Sequence, residues 1–325
     1  MRSVGSETAL DTFVDLEPAS DDFRADVLAG LAAPQKAIPS KYFYDETGSR
    51  LFERICGLEE YYPTRTETEL LSAHADDLGA LLPAEASVIE FGSGSADKIR
   101  LLAEALRRPR CYVPIDISRG HLLHNAELFA RAHPDIQVSA VCADFTKTVD
   151  VGAIVPAGPR IGFFPGSTIG NLKPDAAVDF LRGAAKTLGS GGYLVIGVDL
   201  KKDRAVLEAA YNDAEGVTAA FNLNLLRRIN RELGGTFELK DFEHCALYSE
   251  AHGRIEMHLV SRRAHRVHIE DATFDFAAGE TIHTENSYKY AVDEFHELAA
   301  RAGFHPALTL TDPLDRFSIH CLRAE

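Results

Sequence analysis

The sequence predicts an α/β protein: a parallel, doubly wound sheet interrupted by a smaller α+β region. Three observations carry this. Short apolar runs alternate with helical periods between about residues 84 and 200. The runs are near-continuously apolar, as strands covered on both faces must be. The C-terminal end adds a helix and two extended runs joined by a turn-rich stretch, TDPLDR.

ASVIEF reads as the first buried strand, followed by a glycine turn and an amphipathic helix, SADKIRLLAEAL. CYVPIDI is the second strand, and HLLHNAELFARA is a helix that stops at His133-Pro134, because proline disfavours helix in the residue before it. IQVSAVCADF and RIGFFPG are the third and fourth strands. PDAAVDFLRGAAKTL has Pro174 in its first turn and Gly189 just past its end, the usual helix punctuation. GGYLVIGVDL is the fifth strand. YAVDEFHELAARAGF, closed by Gly303, then ALTLT and FSIHCL add a helix and an antiparallel pair at the sheet edge. A Rossmann-like sheet ending in such a pair is the architecture of small-molecule methyltransferases.

Two regions leave this rhythm. Residues 201–290 offer the helical segments DRAVLEAAYNDA and VTAAFNLNLLRRINREL, then, after Gly234-Gly235, the extended segments EHCALYSE, RIEMHLVSRR and HRVHIEDATFDF. The first 65 residues carry aromatic patches at KYFYDETGSRLF and EEYYPTR. The expectation is a discontinuous α+β domain of residues 1–65 and 201–290, and a sheet domain of residues 66–200 and 291–325.

With 46% apolar and 26% charged residues over 325 positions, the chain has a core to bury, and disorder is excluded as its main state. The net charge of −15 argues against nucleic acid or anionic membrane as partner. Cys56, Cys111, Cys142, Cys245 and Cys321 are odd in number and widely spaced, which suits reduced thiols. No signal peptide or membrane span is evident, so a cytoplasmic monomer is expected. His121 with His124 and His265 with His268 match no ligand spacing, and no metal is expected.

Glu90-Phe91-Gly92-Ser93-Gly94-Ser95 joins the first strand to its helix. Gly92 and Gly94 let backbone approach a ligand. A dinucleotide fingerprint needs a third glycine where Asp97 stands, and that acid would repel a pyrophosphate. Asp116 ends the second strand, 24 residues after Gly92, where an acid receives ribose hydroxyls. Asp144 ends the third strand and suits an adenine amino group, with Phe145 packing on the base. Ligands of such sheets bind beyond the carboxyl ends of the strands. An adenosine to read and no phosphate point to S-adenosylmethionine.

After the fourth strand comes Gly166-Ser167-Thr168-Ile169-Gly170-Asn171, a small-residue loop whose asparagine either bonds an amine or carboxylate or merely makes the turn. Tyr42, Tyr44, Tyr61 and Tyr62 are packing residues or pocket residues. Ile255, Met257 and Leu259 alternate, so pattern alone puts Met257 in the core. Glu285-Asn286-Ser287 lies in an extended segment with no local mark.

IPSKYFYDETGSRLFERICGLEEYYPTRTE, VIEFGSGSADK, FFPGSTIGNL, AYNDAEGVTAAFNLNLL and DFAAGETIHTENS together resemble the histidine-specific Nα-methyltransferases of ergothioneine biosynthesis, from about residue 20 to 322. The resemblance implies a class I S-adenosylmethionine methyltransferase sheet with a discontinuous substrate domain. It implies trimethylation of the L-histidine α-amine to hercynine by three direct, in-line methyl transfers. Substrates would be L-histidine and its mono- and dimethylated forms, and the by-product S-adenosylhomocysteine. By carry-over, Asn171 and Tyr211 resemble the pair holding the substrate carboxylate, and Tyr61 the tyrosine over the substrate. Glu285 and Ser287 match the imidazole-binding groups, and Met257 the methionine shaping that pocket. Tyr44 resembles a tyrosine near the amine and, with Asn171, is the expected catalytic residue. Phe52, Gly166 and Thr168 look like pocket wall. Gly92, Gly94, Lys98, Asp116, Asp144 and Phe145 match cofactor positions. Proteins of the same fold methylate tryptophan, against which Glu285 and Met257 argue.

Overall fold

The computed structural model describes residues 9–16, 23–94 and 96–325. Residues 1–8, 17–22 and Ser95, hence parts of the expected N-terminal segment and one position of the glycine turn, lie outside the described residues. The chain forms two compact units: among the described residues, one holds 9–16, 65–200 and 290–325, the other 23–64 and 201–289. In chain order the strands are β1 (Thr12–Asp15), β2 (Ser87–Phe91), β3 (Cys111–Asp116), β4 (Gln137–Cys142), β5 (Arg160–Phe164), β6 (Tyr193–Asp199), β7 (Phe242–Ser249), β8 (Arg254–Ser261), β9 (His265–Ile269), β10 (Ala272–Phe276), β11 (Thr281–Tyr288), β12 (Phe304–Thr311) and β13 (Phe317–Ala324).

The first unit is built on one sheet of order β1-β4-β3-β2-β5-β6-β13-β12. The pairs from β1 to β6 are parallel, and β13 runs antiparallel to both β6 and β12. Every residue of β2 is buried, as a central parallel strand requires. Val88, Ile161 and Val195 of the strands share one core with Ile99 and Leu102 of the helix Ala96–Ala105 and Leu122 of the helix Arg119–Ala132. Strand order reverses between β2 and β5, so the switch point lies at the carboxyl ends of these two strands.

β1 corrects one expectation. Sequence reasoning placed all of residues 1–65 outside the sheet, yet Thr12–Asp15 pairs in parallel register with Ser139–Cys142. Phe13 is buried there, and the Asp11 carboxylate accepts the Val138 N–H at 2.8 Å. Leu10 is buried as well, and Asp11 N and Leu16 N bond Val138 O and Cys142 O at 3.0 Å, which docks this edge strand at both ends.

The second unit pairs helices with a three-stranded antiparallel sheet, β11-β8-β7, and a separate hairpin, β9-β10. The segment HRVHIEDATFDF is this hairpin, not one extended run, and it turns at Glu270, whose φ is +49°. The helix Val217–Leu233 begins where Asp213 accepts the N–H groups of Val217 and Thr218 at 2.7 and 2.8 Å, and ends at left-handed Gly234. Asp45 caps the helix Glu46–Cys56 through Gly48 N at 2.7 Å and is also held by Asn224 Nδ2 at 2.8 Å and Arg231 at 2.6 Å. These bonds lock the two helices together and so fix Tyr44 and Phe52 against Phe221. A Cβ at Gly48 would lie 1.7 Å from the Phe43 carbonyl oxygen, so only glycine fits that junction. Among the described residues no helix is long and apolar enough to cross a membrane.

Candidate active site

Three strand ends in the sheet unit converge on the switch point. Gly92, at φ +79°, turns the chain out of β2 and donates its N–H to Ile115 O at 2.8 Å. A Cβ there would come within 3.3 Å of the Phe145 ring, so the glycine and the phenylalanine form one close-packed corner. Phe145 in turn meets Phe164 and Phe180, with centroids 5.6 and 6.1 Å apart. Gly94 N bonds Gly92 O at 3.0 Å, and the His121 ring bonds Gly94 O at 3.0 Å.

The acids of this corner differ. Burial pushes Asp116 up to about 6, against the pull of the Ser118 N–H, which bonds its Oδ1 at 2.7 Å. Asp144 is oriented by Thr146, whose N–H and hydroxyl donate to one carboxylate oxygen at 3.0 and 2.6 Å. Glu90, inside β2, is more extreme: burial pushes it up to about 8, partly offset by a hydrogen bond from the Tyr112 hydroxyl to Oε2. Its Oε1 is buried without a partner.

The loop after β5 is tied down by a residue that sequence reasoning missed. Glu67, 1% exposed in the helix Tyr62–Ala73, accepts the Gly166 N–H at 2.8 Å and the Lys98 ammonium at 2.5 Å. Lys98, expected at the cofactor, is thus also the buried partner of Glu67. Glu67 with Leu70 and Leu71 falls at helical spacing i, i+3, i+4, which is the signal that it faces inward. Gly166 (φ +77°) and Ser167 (φ +54°) lead into the single turn Thr168–Asn171. Thr168 Oγ1 donates to Pro165 O at 2.9 Å, and Ser167 Oγ accepts the Asp199 N–H at 2.9 Å.

The second unit gathers the remaining residues. Tyr44, Phe52, Tyr61 and Tyr211 form a chain of edge-on rings, with successive centroids 5.6, 6.2 and 6.1 Å apart. Phe221, not expected, backs Tyr44 at 5.7 Å. Tyr61 is 8% exposed, and burial raises its phenol well above the usual value, with Tyr211, Glu285 and other neighbours adding to the effect.

On β11 the pairing with β8 shifts by one residue between His283 and Glu285. Thr284 is the extra residue; its hydroxyl bonds Asn222 Oδ1 at 2.8 Å and Met257 O at 3.1 Å. This bulge puts Glu285 opposite Met257 and Ser287 opposite Ile255, on the face that Ile282 and Leu259 share. Part of the Glu285 side chain remains accessible; burial nonetheless pushes its carboxyl up to about 7, while Lys289 pulls it down. Ser287 Oγ lies 2.8 Å from the Tyr211 hydroxyl.

Among the described residues one trio, Glu256, His258 and His283, brings metal-capable atoms within 4.8 Å of one another. Register puts it on the other face of β8 and β11 from Met257 and Glu285. Arg254 binds the Glu256 carboxylate at 2.5 Å and occupies it.

The family model described as "Histidine-specific methyltransferase, SAM-dependent" matches residues 23–324. The chain is 40% identical to the histidine N-alpha-methyltransferase of Mycolicibacterium smegmatis over 316 residues, 96% of this chain and 98% of that protein. Identity to the histidine N-alpha-methyltransferase of Mycobacterium tuberculosis is also 40%, over 91% of this chain and 93% of that protein. An L-tryptophan methyltransferase of Psilocybe serbica is 28% identical over 93% of this chain and 92% of that protein.

Proposed function

The chain belongs to the S-adenosylmethionine-dependent, histidine-specific methyltransferases, and from this we propose that it methylates the α-amino nitrogen of L-histidine three times, giving hercynine, the first step towards ergothioneine. The observation that carries the substrate choice is Glu285, a half-buried carboxylate opposite Met257 two residues before Ser287. A carboxylate accepts an imidazole N–H, and a ring lacking that group leaves the acid unpaired. An indole offers one N–H and nothing for a second polar group.

S-Adenosylmethionine, when bound, supplies the methyl group on an electrophilic sulfonium. The residues of the sheet unit suit it. The Asp116 carboxylate fits a ribose diol, Phe145 packed on Gly92 fits a purine face, and Asp144 an exocyclic amine. The unpartnered Glu90 Oε1 lies in the strand that leads into this corner. Asp97 in the first turn of the following helix opposes a phosphate-bearing cofactor.

The roles we assign follow from these groups. Gly92, Gly94, Lys98, Asp116, Asp144 and Phe145 hold the cofactor. Tyr211 and Asn171 take the substrate carboxylate, Glu285 and Ser287 the imidazole, and Phe52, Gly166, Thr168 and Met257 wall the pocket. The rings of Tyr44 and Tyr61 favour the ammonium that forms as methyls accumulate. We assign no dedicated strong base: the neutral fraction of the substrate α-amine attacks the methyl group directly. The protein's contribution is alignment, the role we assign to Tyr44 and Asn171. The sheet unit is the cofactor domain and the second unit the substrate domain. A cytoplasmic monomer without nucleic-acid or membrane partners fits the charge of −15.

Incubation with labelled S-adenosylmethionine and an amino-acid panel, read by mass, tests the proposal. Mono-, di- and trimethylated histidine are expected; label on tryptophan with none on histidine would overturn it.

A further inference from the structure

Lys289 is 2% exposed, and its ammonium donates to the Tyr211 hydroxyl at 3.0 Å and to Ser287 Oγ at 2.9 Å. With the 2.8 Å contact between Tyr211 and Ser287, the three groups close a triangle. An ammonium has donors and no acceptor, so the direction of two edges is fixed wherever the hydroxyl hydrogens point. On the third edge Tyr211 donates to Ser287, as the more acidic hydroxyl should. A bound substrate carboxylate takes the Tyr211 O–H instead, and the Ser287 oxygen keeps the Lys289 ammonium as its donor. An ammonium bonded to that oxygen turns the Ser287 O–H away from itself, so Ser287 offers its proton to a ligand.

Glu285 stands two residues earlier on the same strand face, about 7 Å along the strand. Above about pH 7 the Glu285 carboxyl is anionic, and an anionic carboxylate only accepts. One face of β11 therefore presents an acceptor and a donor side by side. A neutral imidazole is the complement: one ring nitrogen donates and the other accepts.

We infer that Lys289 is a specificity-determining positioning residue: by donating to both Tyr211 and Ser287 it leaves each hydroxyl with its O–H to give, so that the strand selects a ring with an accepting nitrogen. The inference rests on the assignment of Ser287 and Glu285 to the imidazole. A neutral residue at 289 frees the hydroxyl pair to accept, and the demand for an accepting nitrogen disappears.

The test compares kcat/KM for histidine with that for the better of 3-(pyrrol-2-yl)alanine and 3-(pyrrol-3-yl)alanine, which between them keep an N–H at either ring position and have no accepting nitrogen. The wild-type enzyme should favour histidine by about 10- to 100-fold, the cost of one unpaired buried hydroxyl. Lys289→Met should cut that ratio about tenfold, with KM for histidine changing more than kcat, and Lys289→Arg, again a pure donor, should restore it. If Lys289→Met lowers histidine turnover but leaves the ratio at the wild-type value, Lys289 only supports the fold and the inference is overturned. Lys289→Gln, neutral and of similar length, carries the same expectation should the methionine variant not fold, as judged by near-UV circular dichroism. Ser287→Ala in the wild-type background separates the two failures. A ratio unchanged there removes Ser287 from the imidazole and takes the underlying assignment with it. A ratio that collapses there but not in the Lys289 variants refutes the role of Lys289 alone.

Discussion

Glu285 of β11 stands directly opposite Met257 of β8, although strict antiparallel register counted from His283 and His258 would put Thr284 there. The one-residue bulge turns the strand so that an acid and a buried methionine share a face. A side chain at position 285 without the bulge would follow His283 to the face of Glu256 and His258. A single inserted threonine thus decides whether Glu285 joins Met257 or the Glu256, His258 and His283 cluster.

Removing the carboxylate should cost histidine selectively. Glu285→Ala is expected to lower kcat/KM for histidine by about 100-fold or more, the range for losing a charged partner to a polar substrate group. S-adenosylhomocysteine binding, measured by calorimetry, should stay within about twofold, because the residues assigned to it lie on other strands. A wild-type kcat/KM in Glu285→Ala would show that the carboxylate does not read the ring.

Asp116 offers a pH test of the cofactor side. Burial raises its pKa to about 6, and a protonated carboxyl accepts fewer bonds from a diol. The Kd for S-adenosylhomocysteine should be flat above pH 7 and rise as pH falls below about 6. Asp116→Asn should bind about 10-fold more weakly at pH 8 and lose that dependence. Parallel profiles in the two proteins would assign the titration to another group.

Glu67 and Lys98 form a buried pair with side chains 1% and 8% exposed. Breaking one partner strands the other charge, at a cost of about 3–5 kcal/mol. Glu67→Gln should therefore lower the urea midpoint sharply, and adding Lys98→Met should recover about half of the loss. Gly197→Ala should act through the same group, because its Cβ would fall 2.0 Å from Glu67 Oε1. Equal midpoints for wild type and Glu67→Gln would mean that the pair is well hydrated.

What could be read from the sequence and what could not divides along physical lines. Parallel strands buried on both faces are continuous apolar runs, so β2 to β6 announce themselves, and Gly92, Asp116 and Asp144 are found by counting to strand ends. β1 is too short and too polar to show a period. The bulge at Thr284 is invisible because a two-residue period assumes even pairing; Glu285 and Ser287 became legible only through the resemblance. Within TRTETEL nothing distinguishes Glu67 from a surface acid, and a lone lysine after a strand, as Lys289 is, has the pattern of a solvated one. Both are buried charges, and each has a partner distant in sequence, Lys98 and Tyr211, that pattern reading does not weigh.

Glu90 gives the last prediction, on stability. Its pKa moves from 4.5 to about 8 on burial, so between those values the folded chain binds a proton that the unfolded chain releases. Stability from this group is full below about pH 4.5 and is lost as pH rises through 8. The loss is on the order of 1 kcal/mol per pH unit in that window. Glu90→Gln keeps an oxygen for the Tyr112 hydroxyl and has no charge to bury. It should match the wild type near pH 5 in urea denaturation and exceed it by several kcal/mol near pH 8. A difference that does not grow with pH would mean that Glu90 is ionised in the folded protein and holds a counter-charge within reach.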